Sequence, residues 1–249
     1  MDREYFARLC MGVIPGAKTS PDAPGEIGIL AEKTMHRVIK SYMEVREECH
    51  EIKVGRHHAD IKNEFGIIEI QTRSLYPLRK KLETFLPEYP VMVVVPLAQK
   101  KYVSWIDMET GAVTKRHTSP KKESFYTLCR ELYGLRDYFT HPHFSLHLLF
   151  LETEEFRYLN GWSKDKKRGS ERCDRIPLQL LDELHLAKAE DYRQFLPENL
   201  PDTFTTAEFA KLAKLPKRSE WYVIATLQKL GILELCGKEG RSNLYRVTE

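Results

Sequence analysis

The chain has 249 residues, enough for one large domain or two ordinary ones, and its 42% hydrophobic and 30% charged residues are those of a soluble globular protein. A net charge of +3 and a pI of about 8.5 are compatible with a nucleic-acid partner but do not argue for one alone. Five scattered cysteines (Cys10, Cys49, Cys129, Cys173 and Cys236), odd in number, speak against a disulfide framework and a cysteine-rich zinc site, and fit a reducing cytoplasm.

The N-terminus lacks the apolar core of a signal peptide and no run reaches transmembrane length, so a cytoplasmic chain without a membrane partner is expected. Residues 1–26 hold Pro15-Gly16, Pro21 and Pro24-Gly25 and read as an irregular lead-in, with a short helix near Tyr5 to Met11. From Ile27 to Met43, the residues Ile27, Leu30, Ala31, Met35, Val38 and Tyr42 recur at helical spacing. Glu32, His36 and Lys40 follow one another by a turn on an adjacent stripe, an arrangement that a solvated face with local pairs also produces.

The stretch from Glu51 to Arg73 reads as two short strands joined by a turn. On the second, Ile67, Glu69, Gln71 and Arg73 share one face, and Ile68, Ile70 and Thr72 the other. On the strand before it, His58, Asp60 and Lys62 point the same way. If the two strands pair, Asp60 and Glu69 lie on one surface, and two acidic groups side by side form a seat for a divalent cation such as magnesium. An amphipathic hairpin with a solvated polar face would carry the same alternation.

Tyr76 to Leu86 reads as a helix with Leu78, Leu82, Phe85 and Leu86 at helical spacing and Arg79, Lys80 and Lys81 among its polar positions. Val91 to Leu97 (VMVVVPL) is nearly devoid of polar residues, as expected of a strand buried on both faces. Strand, helix, apolar strand is a βαβ unit, so Ile67–Gln71 and Val91–Val95 should be parallel neighbours with a right-handed crossover. Lys101–Asp107 and Ala112–Arg116 flank Gly111 as a hairpin. A helix from about Lys122 to Phe139 and an apolar strand, Phe144 to Leu151, follow. Asn160 to Arg175 is a polar loop whose Lys164, Lys166, Lys167 and Arg168 are candidates for phosphate contact, although such runs are commonly just solvated. Ile176 to Phe195 is expected to be helical in part, so that 161–201 forms a basic loop and helical linker.

Residues 202–249 differ in character. Thr205-Thr206-Ala207-Glu208 fits a capping box opening a helix to about Leu215. Ser219 can cap a second helix that runs through Leu230 and stops at Gly231. Ile232–Cys236 and Asn243–Val247 read as two strands. Helix, turn, helix, hairpin is the layout of a winged helix, with Arg218, Ser219, Tyr222 and Lys229 left for outward contact and Lys238 and Arg241 on the wing. Such modules also dock proteins, so a homodimer or a partner subunit held through this unit is an alternative to DNA.

The helix with Glu32, the strand with Asp60, the strand with Glu69-Ile70-Gln71, the following helix and the buried parallel strand resemble the PD-(D/E)XK, or restriction-endonuclease-like, nuclease superfamily. The resemblance covers Ile27 to Leu97 and, more loosely, the sheet to Leu151. It implies an α/β fold for residues 27–160, a mixed sheet flanked by helices, followed by the smaller winged helix. Carried over by position, Asp60 and Glu69 take the motif's acidic places, Glu32 the additional acidic place on the first helix, and Gln71 stands where the lysine usually is. The implied activity is metal-dependent hydrolysis of a phosphodiester in double-stranded DNA. Asp60, Glu69 and Glu32 would hold Mg²⁺, with Mn²⁺ able to substitute. RNA stays open as substrate, since nothing reads a ribose hydroxyl in a recognisable way. Gln71 can orient a water but cannot supply positive charge. Lys62 or Arg73 could supply it instead, and His58 or His36 could act as acid, base or further ligand. If no cation fills the role, the alternative is a catalytically degenerate, nuclease-like DNA-binding protein, a transcription regulator or an assembly factor.

Overall fold

The structure, a computed structural model, describes residues 2–12, 27–159, 171–215 and 218–248, with residues 27–33 and 171 described by their backbone alone. Its first element is helix α1 (Arg3–Met11), capped by the Asp2 carboxylate, which accepts from the Tyr5 amide at 2.8 Å. Helix α2 (Ile27–Met43) buries Met35, Val38 and Ile39. Three short strands follow: β1 (His50–Val54), β2 (His57–Asn63) and β3 (Gly66–Ile70). The β2–β3 turn closes on Gly66, whose φ of 134° is open to glycine alone, and an added Cβ there would meet the Pro90 carbonyl oxygen at 2.3 Å.

A one-turn 3₁₀ segment leads into α3 (Arg79–Phe85), which buries Leu82 and Phe85. Then comes β4 (Val91–Ile106), a 16-residue strand. As expected, β3 and β4 are parallel, with Ile67 level with Val91 and Ile70 with Val94. The expected hairpin after β4 exists, but its paired strand is the two-residue β5 (His117–Thr118), with only an isolated bridge from Ile106 to Val113. Helix α4 (Phe125–Leu132) continues as a 3₁₀ segment, Tyr133–Tyr138.

Strand β6 (Phe144–Tyr158) runs parallel to β4 from Val91↔Phe144 to Ile106↔Tyr158. Strand β7 (Glu171–Leu186) pairs antiparallel with β6 along its length. This corrects the expectation for residues 161–201: Glu171 to Leu186 is sheet, and among the described residues of this stretch only Ala189–Phe195 is helical, as a 3₁₀ segment. The sheet order is β1-β2-β3-β4-β6-β7, with β5 beside β4.

The sheet separates two apolar layers. On one side, Phe6, Cys10, Met35, Val38 and Ile39 pack on Ile61, Ile68, Ile70 and Val94. On the other, Leu82, Phe85, Leu128 and Leu132 pack on Ile67, Val91, Val93 and Val95. Val91–Leu97 is thus covered on both faces, and the mixed sheet flanked by helices fits a restriction-endonuclease-like α/β architecture.

The C-terminal stretch comprises β8 (Phe204–Thr205), α5 (Thr206–Leu212), α6 (Glu220–Lys229), β9 (Leu233–Glu239) and β10 (Ser242–Val247). The capping box at the start of α5 forms, Thr205 and Glu208 exchanging bonds, and Gly231, at φ 71°, ends α6. Its three strands form a separate antiparallel sheet, β8-β10-β9. Phe209, Val223, Ile224 and Leu227 join the same apolar cluster as Leu128 and Leu132, so this unit is packed onto the larger sheet's helical layer.

Two stability outcomes follow. Leu82→Ala should cost about 2–5 kcal/mol in denaturant unfolding. Gly66→Ala should destabilise by more than about 1 kcal/mol, because strain at φ 134° adds to the clash with Pro90.

Candidate functional site

The ladder between β2 and β3 runs from Asn63↔Gly66 to Ile61↔Ile68. Asp60 and Glu69 come next on each strand, directly opposite one another. Past the last pair the Ile70 amide donates to Asp60 Oδ2 at 2.7 Å, and the Asp60 amide donates to Glu69 Oε1 at 3.3 Å. A carboxylate has therefore taken over where a strand carbonyl would otherwise continue the ladder. Both acids are buried, Glu69 completely.

Each face of the sheet contributes one cationic or protonatable group. From α2, His36 Nε2 lies 3.2 Å from Asp60 Oδ2. From α3, Lys81 Nζ donates to Glu69 Oε1 at 3.0 Å and Oε2 at 2.8 Å, and lies 3.9 Å from Asp60 Oδ1. Lys81 falls three residues after Leu78 and four before Phe85, so the same helical stripe that enters the core aims it at the acids.

Burial and then the adjoining Asp60 charge push the Glu69 carboxyl up to about 7, against the pull of Lys81. Burial also acts to raise Asp60, but the hydrogen bond from His36, the Ile70 amide and the Lys81 charge outweigh it and hold that carboxyl below its ordinary value.

The expected site residues divide clearly. Asp60 and Glu69 converge. Gln71 is half-buried just past β3, its backbone N–H donating to the Val94 carbonyl at 2.9 Å. Glu32 lies in α2 one turn before His36, and its side chain falls outside the described residues. Lys62, considered as the compensating cation, instead lies over the Tyr89 ring, 4.8 Å from its centroid. His58 is exposed on β2, level with Lys53. Arg73 is exposed beyond β3 and lines a cavity whose other walls include Thr72 and Arg175. The cation that touches both acids is Lys81, which the strand spacing could not reveal. Among the described residues no group of three or more His, Cys, Asp or Glu side chains gathers in a way that could hold a metal.

Lys164, Lys166, Lys167 and Arg168 lie outside the described residues. Arg218, Lys238 and Arg241 are exposed, and Ser219 occupies the N-cap position of α6. Tyr222, expected to face outward, is half-buried because α6 lies against α4 and the 3₁₀ segment after it, whereas Lys229 is exposed as expected. Tyr222 meets the Tyr133 ring at 5.8 Å between centroids, and Lys229 Nζ is 3.8 Å from Asp137 Oδ1.

Residues 33–187 match the family described as a domain of unknown function (DUF8091), and the chain belongs to that family. A relative described as an uncharacterized protein, from Treponema pallidum (strain Nichols), is 28% identical over 221 residues, covering 88% of this chain and 87% of the relative. No solved structure matches. Among the described residues, no helix is long and apolar enough to cross a membrane.

The raised Glu69 carboxyl has a measurable consequence. Between its ordinary value of 4.5 and about 7 the folded chain binds the proton that the unfolded chain has released, so stability falls as pH rises through that window. Glu69→Gln should therefore melt at a higher temperature than the wild type at pH 8, with the gap closing as pH falls toward 4.5.

Proposed function

We propose that this chain is a metal-dependent phosphodiesterase acting on DNA, an endonuclease of the restriction-endonuclease-like kind. The observation that carries this reading is the side-by-side placement of Asp60 and Glu69, desolvated at a break in the ladder, with Lys81 reaching both. Burial first and the adjoining Asp60 charge second keep the Glu69 carboxyl raised, and a divalent cation seated between the two acids would relieve both. One or two carboxylates plus substrate oxygens is the donor set that Mg²⁺ takes, so these residues fit it, with Mn²⁺ as a substitute.

Asp60 and Glu69 would hold the ion, with Glu32 as the further acidic candidate on α2. When bound, the ion supplies Lewis acidity and lowers the pKa of a bound water. The chain's own residues do the rest. Lys81 carries the fixed positive charge that Gln71 lacks and would offset charge developing on the phosphate. His36 holds Asp60 in place and can give or take a proton at Nε2. The half-buried Gln71 amide would orient the attacking water. In this reading the C-terminal helices and hairpin serve as a winged helix on duplex DNA, with Arg218, Lys238 and Arg241 exposed for its phosphates.

A second reading rests on the two bonds from Lys81 to Glu69. If that pairing persists, the acids are neutralised from within and the chain is a nuclease-like DNA-binding protein without catalysis. Calorimetric titration with Mn²⁺ separates the two: the nuclease reading expects binding by wild type that is lost in Glu69→Gln.

With plasmid DNA and Mg²⁺, wild type should nick or linearise the substrate, and Asp60→Ala and Glu69→Ala should be inactive. Lys81→Ala should lose about 10²–10³-fold in rate, the scale for removing a group that stabilises transition-state charge. No cleavage by wild type with either metal, or equal cleavage by the variants, sinks the proposal.

A further inference from the structure

A cavity of about 280 Å³ has walls that include Met35, Thr72, Arg157, Arg172, Asp174 and Arg175. Met35 directly precedes His36 on α2 and Thr72 directly follows Gln71 past β3, so two of the lining residues are chain neighbours of residues considered for the acidic site. The arginines come from elsewhere, Arg157 from the end of β6 and Arg172 and Arg175 from the start of β7.

The charges on this wall do not balance. Glu155, 1% exposed, is shared by Lys101 at 3.4 Å, by Arg157, whose Nε donates to it at 2.6 Å, and by Arg172 at 3.8 Å. Arg175 donates to the Thr72 carbonyl at 3.2 Å and stands 3.5 Å from Glu123. Each guanidinium carries five N–H donors in a planar fork, and one carboxylate cannot satisfy three cations. The remaining donors suit a tetrahedral oxyanion, and fork-shaped guanidinium groups match phosphate geometry in particular.

Asp174 is the second observation. It lines the same cavity, is 5% exposed, and among the described residues its Oδ1 has no hydrogen-bond partner. Burial pushes its carboxyl up to about 6, so protonation beside an arriving anion is easy and would turn an idle acceptor into a donor.

We infer that this arginine-lined cavity is a phosphate-binding seat, taking a phosphate of the strand whose neighbouring phosphate lies at Asp60 and Glu69. The strand as source rests on the phosphodiesterase reading; the affinity for phosphate does not.

The test uses the full chain in EDTA, so that no turnover intervenes, with a fluorescein-labelled duplex bearing 5′-hydroxyl ends and with inorganic phosphate as a separate probe. The double substitution Arg157→Gln/Arg172→Gln should weaken duplex binding by about tenfold or more and reduce the slope of log K against log salt by about 2. Arg157→Lys/Arg172→Lys should recover part of the affinity. Asp174→Asn, which removes a negative charge and keeps a donor, should tighten binding at pH 8. Inorganic phosphate that raises the melting temperature of wild type but not of the double Gln variant, with duplex affinity equal in both, supports the seat and assigns it to a free phosphate or small ester. Unchanged binding of both probes by a double Gln variant with wild-type circular dichroism overturns it. Should that variant fail to fold, the half-exposed Arg172→Gln alone is read by the same criteria. Wild type that binds as described but never cleaves with Mg²⁺ overturns the phosphodiesterase reading and leaves the seat standing. Cleavage by wild type with unchanged binding by the Gln variant does the reverse.

Discussion

Two carboxylates held out of water beside each other are unfavourable unless positive charge reaches them, and much of the architecture serves that requirement. Asp60 and Glu69 meet at the point where the β2–β3 ladder gives way. Their partners come from opposite layers, His36 from the helix covering one face of the sheet and Lys81 from the helix covering the other. Neither helix could be moved without stripping one acid of its compensation, and an uncompensated buried charge is among the costliest defects a core can hold. Burial, and then the Asp60 charge, still leave the Glu69 carboxyl raised against the pull of Lys81.

The two apolar layers supply the rigidity this placement needs. Val93 and Val95 face one layer while Val94 faces the other, so β4 is clamped from both sides next to the strand that carries Glu69. The C-terminal unit adds to the same side as Lys81. Trp221 and Tyr222 close on Tyr133, and Leu227 joins the cluster that contains Leu132. Whatever the exposed Arg218, Lys238 and Arg241 contact is thus held in a fixed relation to the helical layer that carries Lys81.

Local signals are legible where the pattern has one meaning. The parallel β3–β4 pair followed from an apolar run bounded by a helix, and the Thr205–Glu208 capping box followed from its spacing. Strand β7 was obscure for a specific reason. Ile176, Leu180 and Leu184 recur every four residues, a spacing that a helical stripe and one face of a strand share. What decides between them is β6, whose long edge pairs with the whole segment and lies far off in sequence. Lys81 was obscure in another way. The motif places its lysine two residues beyond the acid on the same strand, whereas here the cation arrives through the tertiary packing of α3, which no strand spacing records.

The ladders joining β4, β6 and β7 carry one register shift between β4 and β6 and three between β6 and β7. Arg175 lies level with Glu155 and hence with Val103, nine residues past Val94 on β4, roughly 30 Å along a straight strand. Its guanidinium nonetheless reaches Thr72, two residues past the end of β3. The ribbon must curl back on itself, and the extra residues at the bulges are what bend it. They act as a count as much as a bend. Removing a single bulge residue leaves composition and charge nearly unchanged, but it shifts the phase of everything beyond, turning each side chain to the other face. The arginine wall would then point away from β3 with every arginine still in the chain. In this fold, the placement of the arginines is exposed to insertions and deletions at places where most substitutions would pass unnoticed.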